Sequence, residues 1–102
     1  ANIATLAFLS EYNYNGIARN NGEEIRILKE GSYAMNNKKG LIFSVFPYGC
    51  ESVNVTYKGA EYMLNNKTLT YNVSRGISNV FIDDEAEITI NRGRAILLTY
   101  YK

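Results

Sequence analysis

Turn signals recur along this chain about every ten residues, and the stretches between them are too short and too regularly alternating to be amphipathic helices. Asn20-Asn21-Gly22, Glu30-Gly31, residues 36–40, Phe46-Pro47-Tyr48-Gly49, Lys58-Gly59, Asn65-Asn66, Ser74-Arg75-Gly76 and residues 91–94 each mark a chain reversal. Asn and Gly accept the positive φ such turns require, and Pro presets one of their dihedrals. Between these breaks, residues 24–29, 52–57 and 67–73 alternate apolar and polar, as strands with one wet face do. Residues 41–46 and 96–98 are apolar on both faces. Two such strands belong at the centre of a sheet, covered on each side.

A first strand is expected in residues 2–12, with shorter ones at 17–19, 32–35, 60–64 and 77–82. The chain closes on what reads as a β-hairpin, with Ile88 and Ile90 on one face of its first arm, a turn at residues 91–94, and residues 95–101 as its second arm. About eight or nine short antiparallel strands bury themselves best as two packed sheets. The expected fold is therefore all-β, an antiparallel β-sandwich of immunoglobulin-like architecture, with a small β-barrel as the alternative. At 102 residues it forms one domain, residues 1–102, with one core.

Charge and residue usage exclude several functions. Eleven Lys and Arg against ten Asp and Glu leave a net charge of +1, with no excess to draw a nucleic acid or an anionic membrane. Histidine is absent, which removes the commonest general base and metal ligand, and the one cysteine, Cys50, forms no internal disulfide. No catalytic residue set, cofactor site or metal site is expected, and the chain is read as a non-enzyme. No apolar run is long enough to span a bilayer, and residues 3–9 lack the basic start of a signal peptide.

The candidates for chemistry each meet a simpler reading. Asp83, Asp84, Glu85 and Glu87 could gather Ca²⁺, yet they lack the spacing of a calcium loop and fit a solvated corner. Adjacent carboxylates on a strand point apart, which argues against glycoside hydrolysis. Cys50 has no base to activate it. Asn54, Asn66 and Asn72 head glycosylation triplets that thirteen asparagines and twelve Ser or Thr produce by chance. Arg92 and Arg94 at a turn tip suit a phosphate or an acidic partner. Nine tyrosines remain. Tyr48, Tyr100 and Tyr101, with Tyr14, Tyr57 and Tyr62, suit an exposed surface for protein contact or sugar stacking. Ile3 and Leu6 suit an extended segment, residues 1–9, that adds a strand to a neighbour's sheet.

A chain that starts at Ala1 as if only an initiator Met had been trimmed, lacks a signal, is near neutral and rich in Asn and Tyr, and ends on Ile96-Leu-Leu-Thr-Tyr-Tyr101 resembles the small immunoglobulin-like decoration or auxiliary capsid proteins of tailed phages in size and style. No motif carries a functional residue across. The resemblance implies a structural virion protein that binds a major capsid protein lattice in many copies. The alternative expectation is a carbohydrate-binding, adhesin-like module that reads a cell-surface glycan.

Overall fold

A computed structural model describes residues 17–20, 22–70 and 78–101, the first four as backbone. The strands are β1 (Ile17–Asn20), β2 (Glu23–Leu28), β3 (Gly31–Asn36), β4 (Ile42–Pro47), β5 (Ser52–Lys58), β6 (Lys67–Thr70), β7 (Asn79–Val80), β8 (Glu85–Arg92) and β9 (Ala95–Tyr100). They form two antiparallel sheets, β1-β2-β9-β4-β7 and β3-β8-β5-β6. The all-β, sandwich-like expectation holds. No helix among the described residues is long and apolar enough to cross a membrane.

The two strands without a polar face take the central places. β9 lies between β2 and β4, with Leu97 opposite Arg26 and Val45, and Leu98 opposite Ile25 and Ser44. Its residues from Ala95 to Thr99 are all buried. β5 and β8 alternate, so Val53, Val55, Tyr57, Ala86, Ile88 and Ile90 reach the core while their neighbours face out. Phe43 of β4 centres the packing. It stacks on Phe81 at 4.1 Å and meets the Tyr57 ring edge-on at 5.3 Å. Burial of aromatics in these geometries contributes beyond area alone.

The closing stretch departs from the expected hairpin. β8 pairs with β3 and β5, and β9 pairs with β2 and β4, so the two arms lie in different sheets and Gly93 crosses between them. Neighbouring strands share their faces, and β8 presents Glu87 and Thr89 outward. Beside β9 those groups would fall among Ile96 and Leu98, so the chain changes sheet instead. Gly93 holds a φ of 91°, and its N–H donates to Glu30 Oε2 at 3.1 Å.

Residues 60–64 also form no strand. They contribute one isolated bridge, Ala60 to Phe81. Of the strand expected at 77–82, the described residues 78–82 hold the two residues of β7. The expected first strand, residues 2–12, lies outside the described residues, as does the far half of the 67–73 strand.

Candidate functional site

The residues singled out from the sequence do not converge. Tyr48 and Arg94 sit at one end of the sandwich, where Tyr48 N–H donates to Arg94 O at 2.9 Å and the guanidinium carbon lies 5.9 Å from the Tyr48 ring centroid. Arg92 is beside them, donating to Ser52 Oγ at 3.2 Å. Tyr100 and Tyr101 stand at the far end of β9, about 17 Å away at ~3.4 Å per strand residue. Tyr101 is occupied by Lys38, whose Nζ donates to its hydroxyl at 2.9 Å. Ile3 and Leu6, with the proposed strand addition by residues 1–9, lie outside the described residues.

Tyr57, expected on the surface, is a core residue. Burial pushes its phenol well above the ordinary value of 10.0. The acidic corner is a closed turn in which Asp83 Oδ1 accepts from Glu85 N–H at 3.0 Å. Among the described residues no three His, Cys, Asp or Glu side chains gather as a metal site. Cys50 is half-buried, its thiol 3.5 Å from Arg94 O.

A different set of residues does converge, around β7. Among the described residues, the large apolar side chains most open to solvent are Ile42 at 41%, Ile82 at 52%, Tyr62 at 59% and Met63 at 60%. All four belong to segments bonded directly to residues 79–82. Ile42 pairs with Val80 across the sheet, Glu61 N–H donates to Val80 O at 2.9 Å, and Ile82 N–H donates to Gly59 O at 2.9 Å. Tyr62 is held by the side chain of Asn79, which accepts from its N–H at 3.0 Å and donates to its C=O at 2.8 Å. Scattered exposed apolar residues are ordinary, but four on segments bonded to one short edge single that edge out as a place for a bound partner or ligand, with Met63 turned towards Thr56, Lys58 and Asn65.

The local chemistry explains why the loop stands there. Gly59 holds a φ of +75°, and a Cβ on it would come within 2.9 Å of the Ala86 backbone. Only glycine brings the chain that close before it turns out. Beyond the turn Leu64 packs back on the core and its C=O accepts from Tyr57 N–H at 2.8 Å. Tyr62 and Met63 are thus displayed between two anchored points. The exposed carboxylates Glu61, Asp83 and Asp84 flank the apolar residues in sequence, so the rim suits an aromatic or apolar ligand that carries positive charge.

The sequence offered partial signals for this site. Tyr62 was one of nine tyrosines, and Ile42, Met63 and Ile82 read as strand residues facing a core. Ser78 and Asn79 interrupt the run Ile77 to Ile82 with a hydroxyl and an amide side by side. That break is the signal a sequence reader could have used.

A family model described as "Thiamin pyrophosphokinase, vitamin B1 binding domain" matches residues 24–96, well over half of the chain. Among solved structures, thiamine pyrophosphokinase from Bacillus subtilis matches with a TM-score of 0.76 at 22% identity, over 98% of this chain and 48% of that one. Thiamin pyrophosphokinase from Geobacillus thermodenitrificans matches at 0.79 and 19% identity, over 97% and 47%. A thiamin pyrophosphokinase family protein from Enterococcus faecalis matches at 0.67 and 19%, over 98% and 49%. At these identities the likeness establishes the fold. No curated protein matches the chain. The chain spans about half the length of the solved structures it resembles.

These matches overturn the resemblance to phage decoration proteins, and with it the capsid-lattice partner, the many-copy assembly and the virion location. They overturn the glycan-reading alternative as well. Small size, near-neutral charge and a wealth of Asn and Tyr are properties of short-stranded β-sandwiches in general. They follow from turns and strands, so they carried no information about the partner.

Proposed function

The chain belongs to the thiamin pyrophosphokinase vitamin B1-binding domain family, and from that premise we propose that it binds thiamin at the apolar rim around β7. The observation that carries this reading is the convergence of Ile42, Tyr62, Met63 and Ile82 on one edge within the matched span. Thiamin presents a flat aminopyrimidine, a cationic thiazolium and a short hydroxyethyl arm. The Tyr62 ring offers its negative face to the cation, and Met63 and the two isoleucines offer apolar area to both rings. Glu61 and Asp83 lower the potential where the cation arrives.

Magnitudes indicate how much of the site this edge supplies. About 120 Å² of apolar surface covered contributes roughly 3 kcal/mol, and a partly exposed cation–π contact adds about 1 kcal/mol. Loss of rigid-body freedom on binding costs at least ~4 kcal/mol. The rim alone therefore holds thiamin weakly. The reading is confined to binding of the vitamin, and no pyrophosphate transfer is proposed for this rim.

Amide chemical-shift mapping during a thiamin titration tests the reading. Perturbations should concentrate at residues 42, 61–63 and 79–82, and Tyr62→Ala should weaken binding about tenfold. Tyr48→Ala, at the other end of the sandwich, should leave it unchanged. Shifts centred on Tyr48 and Arg94, or an unaltered affinity in Tyr62→Ala, would overturn it.

A further inference from the structure

Asn79 is a buried polar side chain, 4% exposed, and the rim has not accounted for why an amide should be there. Its Oδ1 accepts from Tyr62 N–H at 3.0 Å and from Val80 N–H at 2.9 Å, and its Nδ2 donates to Tyr62 O at 2.8 Å. One side chain therefore holds both backbone groups of the residue that displays the exposed tyrosine. From within β7 it acts as a short extra strand for the 60–64 segment, which has no ladder of its own. We infer that Asn79 is the positioning residue of the thiamin site, clamping the Tyr62 backbone so that the ring is presented before the ligand arrives. The inference rests on the reading of the β7 rim as that site.

The chemistry of the clamp is specific. Two N–H donors and one C=O acceptor face the side chain, so it must offer an acceptor and a donor together. An amide does so at every pH. A carboxylate would keep the two accepted bonds and set a negative oxygen against Tyr62 O. A protonated carboxyl has the amide's shape and restores the donor. Without the clamp, residues 61–64 keep the backbone bonds of Glu61 N–H to Val80 O and of Tyr57 N–H to Leu64 O on either side of Tyr62 and Met63. The fraction of molecules with Tyr62 in its binding stance then falls, and apparent affinity falls in proportion.

The experiment compares Asn79→Ala and Asn79→Asp with the unaltered chain, reading thiamin affinity and amide hydrogen exchange between about pH 5 and pH 8. The ionisable side chains on the segments bonded to position 79 are Glu61 and Tyr62, while β4 opposite it offers Ile42 and Phe43. Parallel titration of the unaltered chain corrects for thiamin's own protonation. In Asn79→Ala, Tyr62 N–H should exchange tenfold faster or more, with Gly40 N–H on Phe81 O unchanged, and thiamin should bind about tenfold more weakly at every pH. Asn79→Asp should match that loss near pH 8 and return towards the unaltered affinity near pH 5, because only its protonated form donates to Tyr62 O. A folded Asn79→Ala that binds thiamin normally while Tyr62 N–H exchanges freely would overturn the inference, as would an Asn79→Asp with no recovery in acid. Failure of the unaltered chain to bind thiamin is a separate result. It removes the reading of the rim, while the exchange rates still decide whether the clamp exists.

Discussion

Across β3-β8-β5-β6 many outward side chains are hydroxyls and amides that bond to one another, whereas across β2-β9-β4 an outward cluster is aliphatic and aromatic. On the first face Ser32 and Thr89 share a hydrogen bond at 3.0 Å, and Asn54 donates to Thr68 Oγ1 at 3.1 Å. Asn91 donates to both Asn54 Oδ1 and Thr56 Oγ1 at 2.9 Å. Asn91 occupies the irregularity where β8 slips against β5, and the extra residue aims its amide between two others. On the second face Ile25, Ile96 and Leu98 are 1%, 3% and 5% exposed, with Ile27, Phe46, Tyr48 and Tyr100 packed against them. One face satisfies its own polar groups and remains compatible with water. The other holds a second apolar cluster. A fully buried aliphatic side chain stabilises by about 2 kcal/mol, while an exposed side-chain hydrogen bond contributes about 0.5 kcal/mol or less after competition with water. The two faces therefore differ in energy as well as in polarity.

The largest effect should come from Ile96→Ala, which opens a cavity in the outer cluster and should cost about 3 kcal/mol in urea unfolding. Thr89→Ala, at an outward position of the other sheet, should stay within about 0.5 kcal/mol. Equal losses from the two would collapse the contrast between the faces.

Alkaline titration separates buried from half-buried tyrosine. Tyr57, on the inner side of β5, has its phenol raised by burial, and Tyr100, on the outer side of β9, is raised by burial and then by Glu23. A raised phenol keeps the folded state protonated while the unfolded chain ionises. The stability Tyr57 contributes is complete below about pH 10 and falls by up to ~1.4 kcal/mol per pH unit above it, until the folded-state value is passed. Tyr57→Phe should flatten the alkaline limb of a stability–pH curve, and Tyr100→Phe should flatten it less. The reverse order would place Tyr100 deeper than Tyr57.

A modest effect tests the polar network. Asn54→Ala removes the amide that joins Asn66 O, Thr68 and Asn91, and should cost about 1 kcal/mol, with m unchanged. A cost near that of Ile96→Ala would mean that the ladder stabilises as strongly as the apolar cluster.

Much of this fold was readable from residues alone. Leu41 to Phe46 and Ile96 to Leu98 have no polar face, and both lie at the middle of the larger sheet. Asn20-Asn21-Gly22 reads as a tight reversal, and β1 and β2 pair around it from Asn20 and Glu23. Other features escaped. The turn at residues 91–94 was read as a hairpin because a turn signal reports that the chain reverses, and leaves open whether the next strand joins the same sheet. Tyr57 shares the apolar register of Val53 and Val55, a core signal that its hydroxyl obscured, and Phe43 of the opposite sheet meets it there. The rim was hidden for a related reason. Ile42 and Ile82 are apolar residues in strand-like runs, and their exposure arises because β7 is the edge and only two residues long. No short motif announced the family, whose match is spread from residue 24 to residue 96.

The sequence by itself determined an all-β chain, its turns, and the two strands that must lie inside, because alternation and turn chemistry act over a few neighbouring residues. Only the tertiary structure decided which sheet each strand entered, which tyrosine was core and which was displayed, and that Asn79 would reach across to Tyr62. Those outcomes depend on contacts between segments far apart in the chain, where the free energy of a side chain is set by what packs against it.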